Sequence, residues 1–326
     1  MPVRALYDGA MPSRNGTDAT VSPATRLRAA LAGERVARVF GVHDGLSALV
    51  AQTVGCEGLW ASSLGISAAH GAPDASVLTM TEVRDAASVI ARASRLPVIC
   101  DCDTGFGGTR VLRRMVREFE AAGVAAVCIE DKRYPKRNSL LPGHVLLDPW
   151  EFAGRVQLAK ESQREAEFMV FARVEALIAG AGMDDALDRG RLYAEAGADA
   201  LVVHSKSPSA DEVLQFAASW RDAGQRTPLV VVPTTYFHTT TSELEAGGVA
   251  MVIYANQALR ASVRAMIETV ASIERNGGSG PVEETLAPAE LIFDLTREED
   301  LQREDTRFQA LVAEQREAWC KVGASR

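Results

Sequence analysis

The stretch AAGVAAVCIED, residues 121–131, shows the pattern that decides the fold of this chain. An Ala-Gly step ends a helical segment, an apolar run follows, and two acids close the run. The same order of features recurs in EAGADALVVH at 195–204 and in EAGGVAMVIY at 245–254. Because glycine readily adopts the left-handed conformation that ends many helices, we expect a helix C-cap before each of these strands. The expected caps are Gly123, Gly197 and Gly247.

Short runs rich in Val, Ile and Ala occur eight times, each ending on polar residues and followed by an amphipathic helical stretch. The predicted strands are 36–43, 58–62, 97–103, 124–131, 168–175, 198–205, 228–234 and 249–256. Alternating strands and helices indicate a parallel sheet. Eight repeats favour a closed (β/α)8 TIM-type barrel over an open sheet.

The composition divides the chain into three regions. Residues 1–24 are rich in Ser, Pro, Gly, Asn and Thr and predict a mobile leader, with ordered structure beginning near Pro23. Residues 25–275 form the predicted catalytic barrel, whose last helix runs from about 257 to 274. Residues 276–326 begin with the breaker NGGSGP and continue as a charged amphipathic tail. This helical extension has no strand to cover, so we expect it to pack on the barrel or on a neighbouring subunit.

Charge and composition exclude several classes of protein. A formal net charge of −8 over 326 residues argues against a large nucleic-acid surface, which needs clustered Lys and Arg. The first residues, MPVRALYDGAMPSRNG, lack the apolar core of a signal peptide, and no apolar run reaches membrane-spanning length. Five scattered cysteines do not suggest a disulfide framework. We therefore expect a cytoplasmic protein that acts on a small molecule.

The residues that close the strands are unusually polar. In such barrels the active site lies at the carboxyl ends of the strands, so these residues are candidates for chemistry. They are His43, Asp44, Trp60 to Ser63, Asp101, Asp103, Glu130, Asp131, Arg173, Glu175, His204, Ser205, Thr234, Thr235 and Asn256.

Asp101 and Asp103 carry the clearest signal. Strand alternation places both carboxylates on one face and Cys100 and Cys102 on the other. Two nearby carboxylates need a neutralising cation, and oxygen ligands without His or Cys suit a hard ion such as Mg²⁺. Capping of the next helix is the alternative for either acid, and a Cys-x-Cys zinc site is a weaker one.

The segment 130–139, EDKRYPKRNS, continues the strand-end acids into a basic, polar loop. It could grip an anion while Glu130 and Asp131 face the metal, or it could be a solvated run of charges. Arg173, on a Val-rich strand, needs a partner, which could be a bound anion or Glu175. His204 could be a core histidine or a site residue, and its strand-end position favours the site.

At these residues the chain resembles the phosphoenolpyruvate mutase branch of the isocitrate lyase superfamily, from about Leu27 to Phe308. The resemblance rests on HDGLSA at 43–48, WASSLGIS at 60–67, DCDTGFG at 101–107, the EDKRYPKRNS block and ARVEALIAG at 172–180. Further matches are GAPD ending at Asp74, HSK at 204–206, VPTTY at 232–236 and YANQALRA at 254–261.

The resemblance implies roles for particular residues. A dissociable Mg²⁺ would be bound directly by Asp101 and through water by Asp103, Glu130 and Asp74. Substrate contacts would come from Trp60, Ser62, Ser63, Leu64, Asn138, Ser139 and Arg173. The implied catalytic residues are Asp74, Lys136, Asn138, Arg173 and His204, with Lys136, Asn138 and Ser139 on a gating loop. A homotetramer in which the last helix swaps between subunits is implied as well.

The resemblance also implies a reaction, the interconversion of phosphoenolpyruvate and phosphonopyruvate as a first step of phosphonate biosynthesis. The stretch 136–139 lacks the cysteine that carbon–carbon lyases of the superfamily carry, so the lyase alternative falls sharply. Phosphonopyruvate hydrolases tend to have threonine at the position of Asn138, so the asparagine favours the mutase. Two residues depart from the usual mutase pattern: Ser63 replaces a glycine and Gln257 a histidine.

Overall fold

The computed structural model describes the backbone of residues 21–323 and the side chains of residues 21–319. The predicted leader, 1–24, therefore lies outside the described residues except for its last four. The first described helix, α1, begins at Pro23, where ordered structure is predicted to begin. Ser22 caps it, because its side-chain oxygen accepts a hydrogen bond from the backbone N–H of Thr25.

Eight parallel strands form a closed barrel in the order β1 to β8, with β8 pairing back onto β1. Each strand lies within its predicted range, so the barrel prediction is confirmed. The strands are β1 Ala37–Val42, β2 Gly58–Ala61, β3 Val98–Asp101, β4 Ala126–Glu130, β5 Met169–Val174, β6 Ala200–Val203, β7 Leu229–Val231 and β8 Met251–Tyr254.

Helices follow the strands around the barrel, and further helices form the C-terminal segment. Those up to strand β8 are α1 Pro23–Leu31, α2 Gly45–Gln52, α3 Ser63–Ala69, α4 Met80–Ala93, α5 Thr109–Ala121, α6 Pro149–Ser162, α7 Ala176–Ala179, α8 Met183–Glu195, α9 Asp211–Asp222 and α10 Thr241–Ala246. Those beyond it are α11 Gln257–Asn276, α12 Gly280–Glu283, α13 Ala289–Thr296 and α14 Glu298–Gly323.

Two hydrophobic clusters lie on the two faces of the sheet. The interior cluster, including Val39, Ile99 and Phe171, fills the barrel, and the apolar side of α1 packs against it through Leu27. The outer cluster joins the sheet to the surrounding helices. Because α1 also places Arg28 beside Asp199, which precedes β6, it covers the amino ends of the strands. The carboxyl ends remain open for a site.

Four cysteines have described side chains, and all are free and buried: Cys56, Cys100, Cys102 and Cys128. As the alternation predicts, Cys100 and Cys102 belong to the outer cluster, whereas Cys128 points into the barrel. Burial raises the pKa of Cys56 to about 11 and the pKa of Cys102 and of Cys128 well above the usual value. These thiols are core side chains.

Each predicted glycine cap lies at the C-terminal end of its helix. Gly123 and Gly197 follow α5 and α8 with φ angles of 85° and 99°, in the left-handed region. After α10 the predicted Gly247 is the C-cap residue. Gly247 keeps a helical φ of −74°, and Gly248 takes the left-handed conformation with φ 90°.

The described residues divide into two compact units, one up to Met266 and one from Ile267 onward. The second unit is helical, as predicted for the C-terminal extension, and consists of the end of α11 followed by α12 to α14. Val282 and Leu295 are its buried apolar side chains. In the part of the chain that the structure describes, no helix is both long and apolar enough to span a membrane.

Candidate active site

A pocket opens at the carboxyl ends of the strands. The residues to which the family resemblance assigns roles line it, with the exception of Asp103, which is ion-paired to the pocket residue Lys136. Those that line it are Trp60, Ser62, Ser63, Leu64, Asp74, Asp101, Glu130, Lys136, Asn138, Ser139, Arg173 and His204. The fold thus brings together residues that are spread over more than 140 positions of the sequence, while their individual roles stay predictions.

Arg173, near the end of β5, is surrounded by carboxylates. Its Nη2 lies 2.9 Å from Asp101 Oδ1 and 2.6 Å from Glu130 Oε2, and its Nε lies 3.3 Å from Glu175 Oε1. Burial lowers the pKa of this guanidinium, but the three carboxylates outweigh burial and raise it well above the usual value. Glu175 is thus one of several partners, and Arg173 presents a fixed positive charge to the pocket.

Lys136 is a second buried cation at the site. Its Nζ lies 2.7 Å from Asp74 Oδ1 and 2.6 Å from Asp103 Oδ1, and it donates a hydrogen bond to Ser63 Oγ at 2.9 Å. Ser63 Oγ in turn donates to Asp101 Oδ2 at 3.0 Å. Burial lowers the pKa of Lys136, but the nearby carboxylates raise it above its usual value, so the ammonium stays charged. Ser63, one of the two departures from the resemblance noted in the sequence, therefore links Lys136 to Asp101.

The β4–α6 loop, residues 131–148, carries Lys136 and folds over the pocket. Asn138 Nδ2 donates to Asp74 Oδ2 at 2.7 Å. Burial raises the pKa of Asp74, but Lys136 and, to a smaller extent, Asn138 outweigh burial and lower it. The basic run of this loop is divided: Lys132 and Lys136 are buried in ion pairs, whereas Arg137 is exposed. The basic run is therefore not entirely exposed to solvent, and its two buried lysines pair with carboxylates of the protein itself.

Asp103 reaches the site by a different route from the one that alternation predicts. Strand β3 ends at Asp101, and Asp103 lies in the following turn with a φ of 51°, which is uncommon for a residue other than glycine. Burial and the neighbouring charges of Asp101 and Glu130 raise its pKa to about 6, although Lys136 opposes the shift. The turn, not the pleat of the strand, brings the two carboxylates together.

Asp131 does not face the pocket, so the expectation that both acids at the end of β4 face a metal is wrong for this residue. Adjacent residues of an extended chain point to opposite faces, and Glu130 takes the inward position. Asp131 is fully buried on the outer side, where it accepts hydrogen bonds from Tyr193 at 2.7 Å and Arg189 at 3.2 Å. Burial raises its pKa to about 6.

Glu175 and Lys132 are buried members of the site whose place the sequence did not establish. Glu175 follows β5 and is fully buried beside Lys132, which is also inaccessible. Both residues stand two positions after an inward-facing one, Arg173 and Glu130 respectively. Extending the alternation past the strand ends could therefore have placed them in the site.

The far wall of the pocket comes from β7 and β8 and is polar but uncharged. Asn256 is 7% exposed, and its Nδ2 donates to Thr234 Oγ1 at 3.1 Å. Within residues 21–319, its Oδ1 has no hydrogen-bond partner. The strand-end pattern pointed to these two residues, whereas the family resemblance assigned them no role.

The carboxylates of the site offer the type of ligand atom that a hard cation prefers. Asp74, Asp101, Asp103 and Glu130 supply only oxygen ligands, and Glu130 Oε1 is buried without a hydrogen-bond partner among the described residues. Among the same residues, no three His, Cys, Asp or Glu side chains form a ready metal-binding group. Lys136 and Arg173 lie between the acids, so a divalent cation would have to share their carboxylates.

The chain is similar to known proteins over most of its length. A family model described as phosphoenolpyruvate phosphomutase matches residues 27–274. A crystal structure of phosphoenolpyruvate phosphomutase from Streptomyces platensis subsp. rosaceus is similar with a TM-score of 0.85 and 46% identity, covering 87% of this chain and 99% of that one.

Proteins named for a hydrolase are similar as well. A phosphonopyruvate hydrolase from Variovorax sp. (strain Pal2) is 39% identical over 285 residues, which are 86% of this chain and 97% of the relative. A crystal structure of phosphonopyruvate hydrolase in complex with oxalate and Mg²⁺ has a TM-score of 0.83 and 37% identity, covering 88% of this chain and 99% of that one. Both activities thus occur among proteins of comparable similarity.

Proposed function

This chain belongs to the phosphoenolpyruvate phosphomutase family, and from that premise we propose that it interconverts phosphoenolpyruvate and phosphonopyruvate. The observation that carries the proposal is the contact of Asn138 with Asp74, which closes the β4–α6 loop over the pocket at 2.7 Å. Asparagine at this loop position also favours a mutase over a hydrolase. The proposal places the enzyme in the cytoplasm at the start of phosphonate biosynthesis.

The proposed reaction is an isomerisation within one molecule. The bond from phosphorus to the enol oxygen breaks, its electron pair stays on the pyruvate enolate, and a bond from phosphorus to the methylene carbon forms. No proton or water is gained or lost. A loop that excludes water therefore favours transfer over hydrolysis.

The charged residues of the pocket suit each part of this substrate. Arg173 and Lys136 would hold anionic oxygens with fixed positive charge, and His204 and Asn138 would orient the migrating phosphoryl group by hydrogen bonds. Asp74, held at both oxygens by Lys136 and Asn138, stands where it could take the phosphoryl group transiently or guide a metaphosphate-like species.

Asp101, Asp103, Glu130 and Asp74 are the residues that would hold Mg²⁺. Bound there, the ion would supply positive charge that stabilises the negative charge developing on the enolate. The protein's own contribution is to orient these carboxylates. Arg173 and Lys136 do so through the ion pairs described above.

Phosphonopyruvate hydrolysis is the second candidate, because similar proteins carry that name at comparable identity. It would use the same charged residues but would admit a water molecule to the phosphoryl group. A carbon–carbon lyase is disfavoured, since the loop presents Asn138 and Ser139 where lyases of the superfamily place a catalytic cysteine block.

Phosphorus NMR of the purified protein with Mg²⁺ and phosphonopyruvate tests the proposal. We expect phosphoenolpyruvate to form without inorganic phosphate. Asp101→Ala is the matched control, because it removes one carboxylate of the site and should abolish conversion, which excludes a contaminating enzyme. Phosphate and pyruvate as products would establish the hydrolase instead, and an unchanged signal with wild type would reject both.

For the assembly we propose a homotetramer in which the C-terminal helices exchange between subunits. Its support is the family resemblance together with the exposed apolar side chains of α11 and α14, such as Val270 at 66% and Phe308 at 60%. Apolar surface of this kind is commonly covered by another protein surface.

A further inference from the structure

Glu175 is a fully buried carboxylate on which three parts of the site converge. It accepts a hydrogen bond from Ser139 Oγ at 3.1 Å and is ion-paired to Lys132 Nζ at 3.1 Å, both on the β4–α6 loop. His204 Nδ1, just after β6, lies 2.9 Å from its Oε1. Arg173 Nε, on β5, lies at 3.3 Å. The Glu175 carboxylate thus contacts the β4–α6 loop and the ends of strands β5 and β6.

The charge of Glu175 decides which nitrogen of His204 carries a proton. Burial raises the pKa of Glu175, but His204, Lys132 and Arg173 outweigh burial and hold it well below its usual value. An ionised carboxylate only accepts hydrogen bonds, so the contact requires a proton on Nδ1 of His204. The other ring nitrogen, Nε2, is then the one available to a ligand in the pocket.

We propose that Glu175 is a positioning residue that fixes His204 with Nδ1 protonated and connects its orientation to closure of the β4–α6 loop. Its importance for turnover rests on the proposed function, whereas the proton position and the loop contact do not. The alternative is that Glu175 only neutralises Arg173 and Lys132, in which case its replacement would lower stability but would not change the tautomer of His204. Measurements of the ring and of the loop separate these two roles.

Nitrogen NMR of histidine-labelled protein measures the ring directly, with His204 assigned from the signal lost in His204→Gln. In wild type we expect Nδ1 to be protonated. Glu175→Met, which has similar volume and no acceptor, should move protons from Nδ1 to Nε2. Glu175→Gln keeps one acceptor oxygen, so the fraction of His204 protonated at Nδ1 should lie between those of wild type and Glu175→Met. If Glu175→Met does not fold, Glu175→Gln alone tests the effect on the tautomer.

Limited trypsin digestion measures how often the β4–α6 loop opens, because Arg137 is an exposed cleavage site on this loop. Glu175→Gln and Ser139→Ala should each raise cleavage after Arg137 several-fold. The matched control is Asp199→Asn, which removes an anion that pairs with Lys160 and Arg28 just before β6. This control should lower stability but leave both the ring signals and the cleavage rate unchanged.

Two results would overturn the proposal: an unprotonated Nδ1 in wild type, or equal changes in Asp199→Asn and Glu175→Gln. If the wild type converts phosphonopyruvate, Glu175→Gln should also lower kcat at least tenfold while KM changes less, and an unchanged kcat would remove the link to turnover. If phosphorus NMR shows no conversion but the ring and loop respond as stated, the proposed function fails and the positioning role stands.

Discussion

Lys136 balances the charge of the pocket at the scale of a single residue. Its ammonium is buried between Asp74 and Asp103, and Ser63 adds a polar contact. Removing one partner of a buried ion pair leaves an uncompensated charge, which costs about 3–5 kcal/mol. A divalent cation that uses the same carboxylates could replace part of the lost compensation.

We predict that Lys136→Gln lowers the thermal midpoint of unfolding and that Mg²⁺ restores part of the loss. The Mg²⁺-dependent rise in midpoint should therefore be larger in Lys136→Gln than in wild type, because the carboxylates have lost their internal counter-ion. Thermal unfolding followed by circular dichroism, with and without Mg²⁺, measures both effects.

The matched control for Lys136→Gln is Lys160→Gln. Lys160 does not line the pocket, and its Nζ is ion-paired to Asp199 Oδ2 at a distance of 2.6 Å. This variant should lose stability without any additional response to Mg²⁺. The metal assignment is wrong if wild type and both variants show the same response.

At the residue scale, the sequence indicated most of the side chains that gather at the pocket but not the backbone conformation that brings them there, and the roles of these side chains stay predictions. Asp101 and Asp103 were placed together correctly, yet the reason was the positive φ of Asp103, which no local pattern in the sequence announces. Asp131 was misplaced because neighbouring acids look equivalent in sequence. The helix α8 that receives Asp131, through Arg189 and Tyr193, is about sixty residues away.

At the scale of elements, the barrel closes where β1 meets β8. Gly41 lies in β1, and a Cβ atom added there would stand 1.9 Å from the carbonyl oxygen of Ala255, just after β8. That neighbour is backbone and cannot rotate away. The close approach therefore requires glycine at this position.

We predict that Gly41→Ala destabilises the protein by about 3 kcal/mol or more, since the two strands must separate to admit a methyl group. The control is Gly154→Ala, on the exposed side of α6, where an added Cβ meets nothing within 4 Å. Alanine there should stabilise by about 0.5–1 kcal/mol. Chemical unfolding followed by fluorescence compares the two, and similar midpoints would contradict the prediction for Gly41.

The elements themselves were predictable because most strands are runs of apolar residues and the helices show amphipathic periodicity. The sequence did not show which residues at the strand ends and in the loops become buried, or which partners they contact. Residues after Glu130 looked like one basic loop, whereas the fold buries Lys132 beside Glu175 and leaves Arg133 exposed. Such partners come from different strands, so they become visible only after the barrel has closed.

At the scale of the whole molecule, the C-terminal helices carry apolar side chains that remain exposed. On α11 they recur at helical spacing, and the most exposed are Met266 at 58%, Ile267 at 64% and Val270 at 66%. Exposed apolar side chains also occur on the 276–326 extension, such as Phe293 at 53% and Phe308 at 60%. The packing of this extension on the barrel or on a neighbouring subunit stays a prediction. The exchange of helices between subunits stays a proposal.

We predict that Val270→Asp lowers the molecular mass in sedimentation velocity from that of a tetramer to that of a smaller species, because a charge replaces apolar contact area. Val54→Asp is the control, since Val54 is similarly exposed, at 62%, on a turn of the barrel. A monomeric wild type, or an unchanged mass for Val270→Asp, would contradict the proposed assembly.

The buried thiols of Cys56, Cys100, Cys102 and Cys128 have a practical consequence. Alkylating dyes react with accessible thiolates, which these core side chains do not offer. In a Cys320→Ser background, a cysteine placed by Leu140→Cys, at an exposed position of the β4–α6 loop, would become the preferred attachment point for a fluorophore. Opening and closing of the pocket could then be followed as a light signal from single molecules while substrate is turned over.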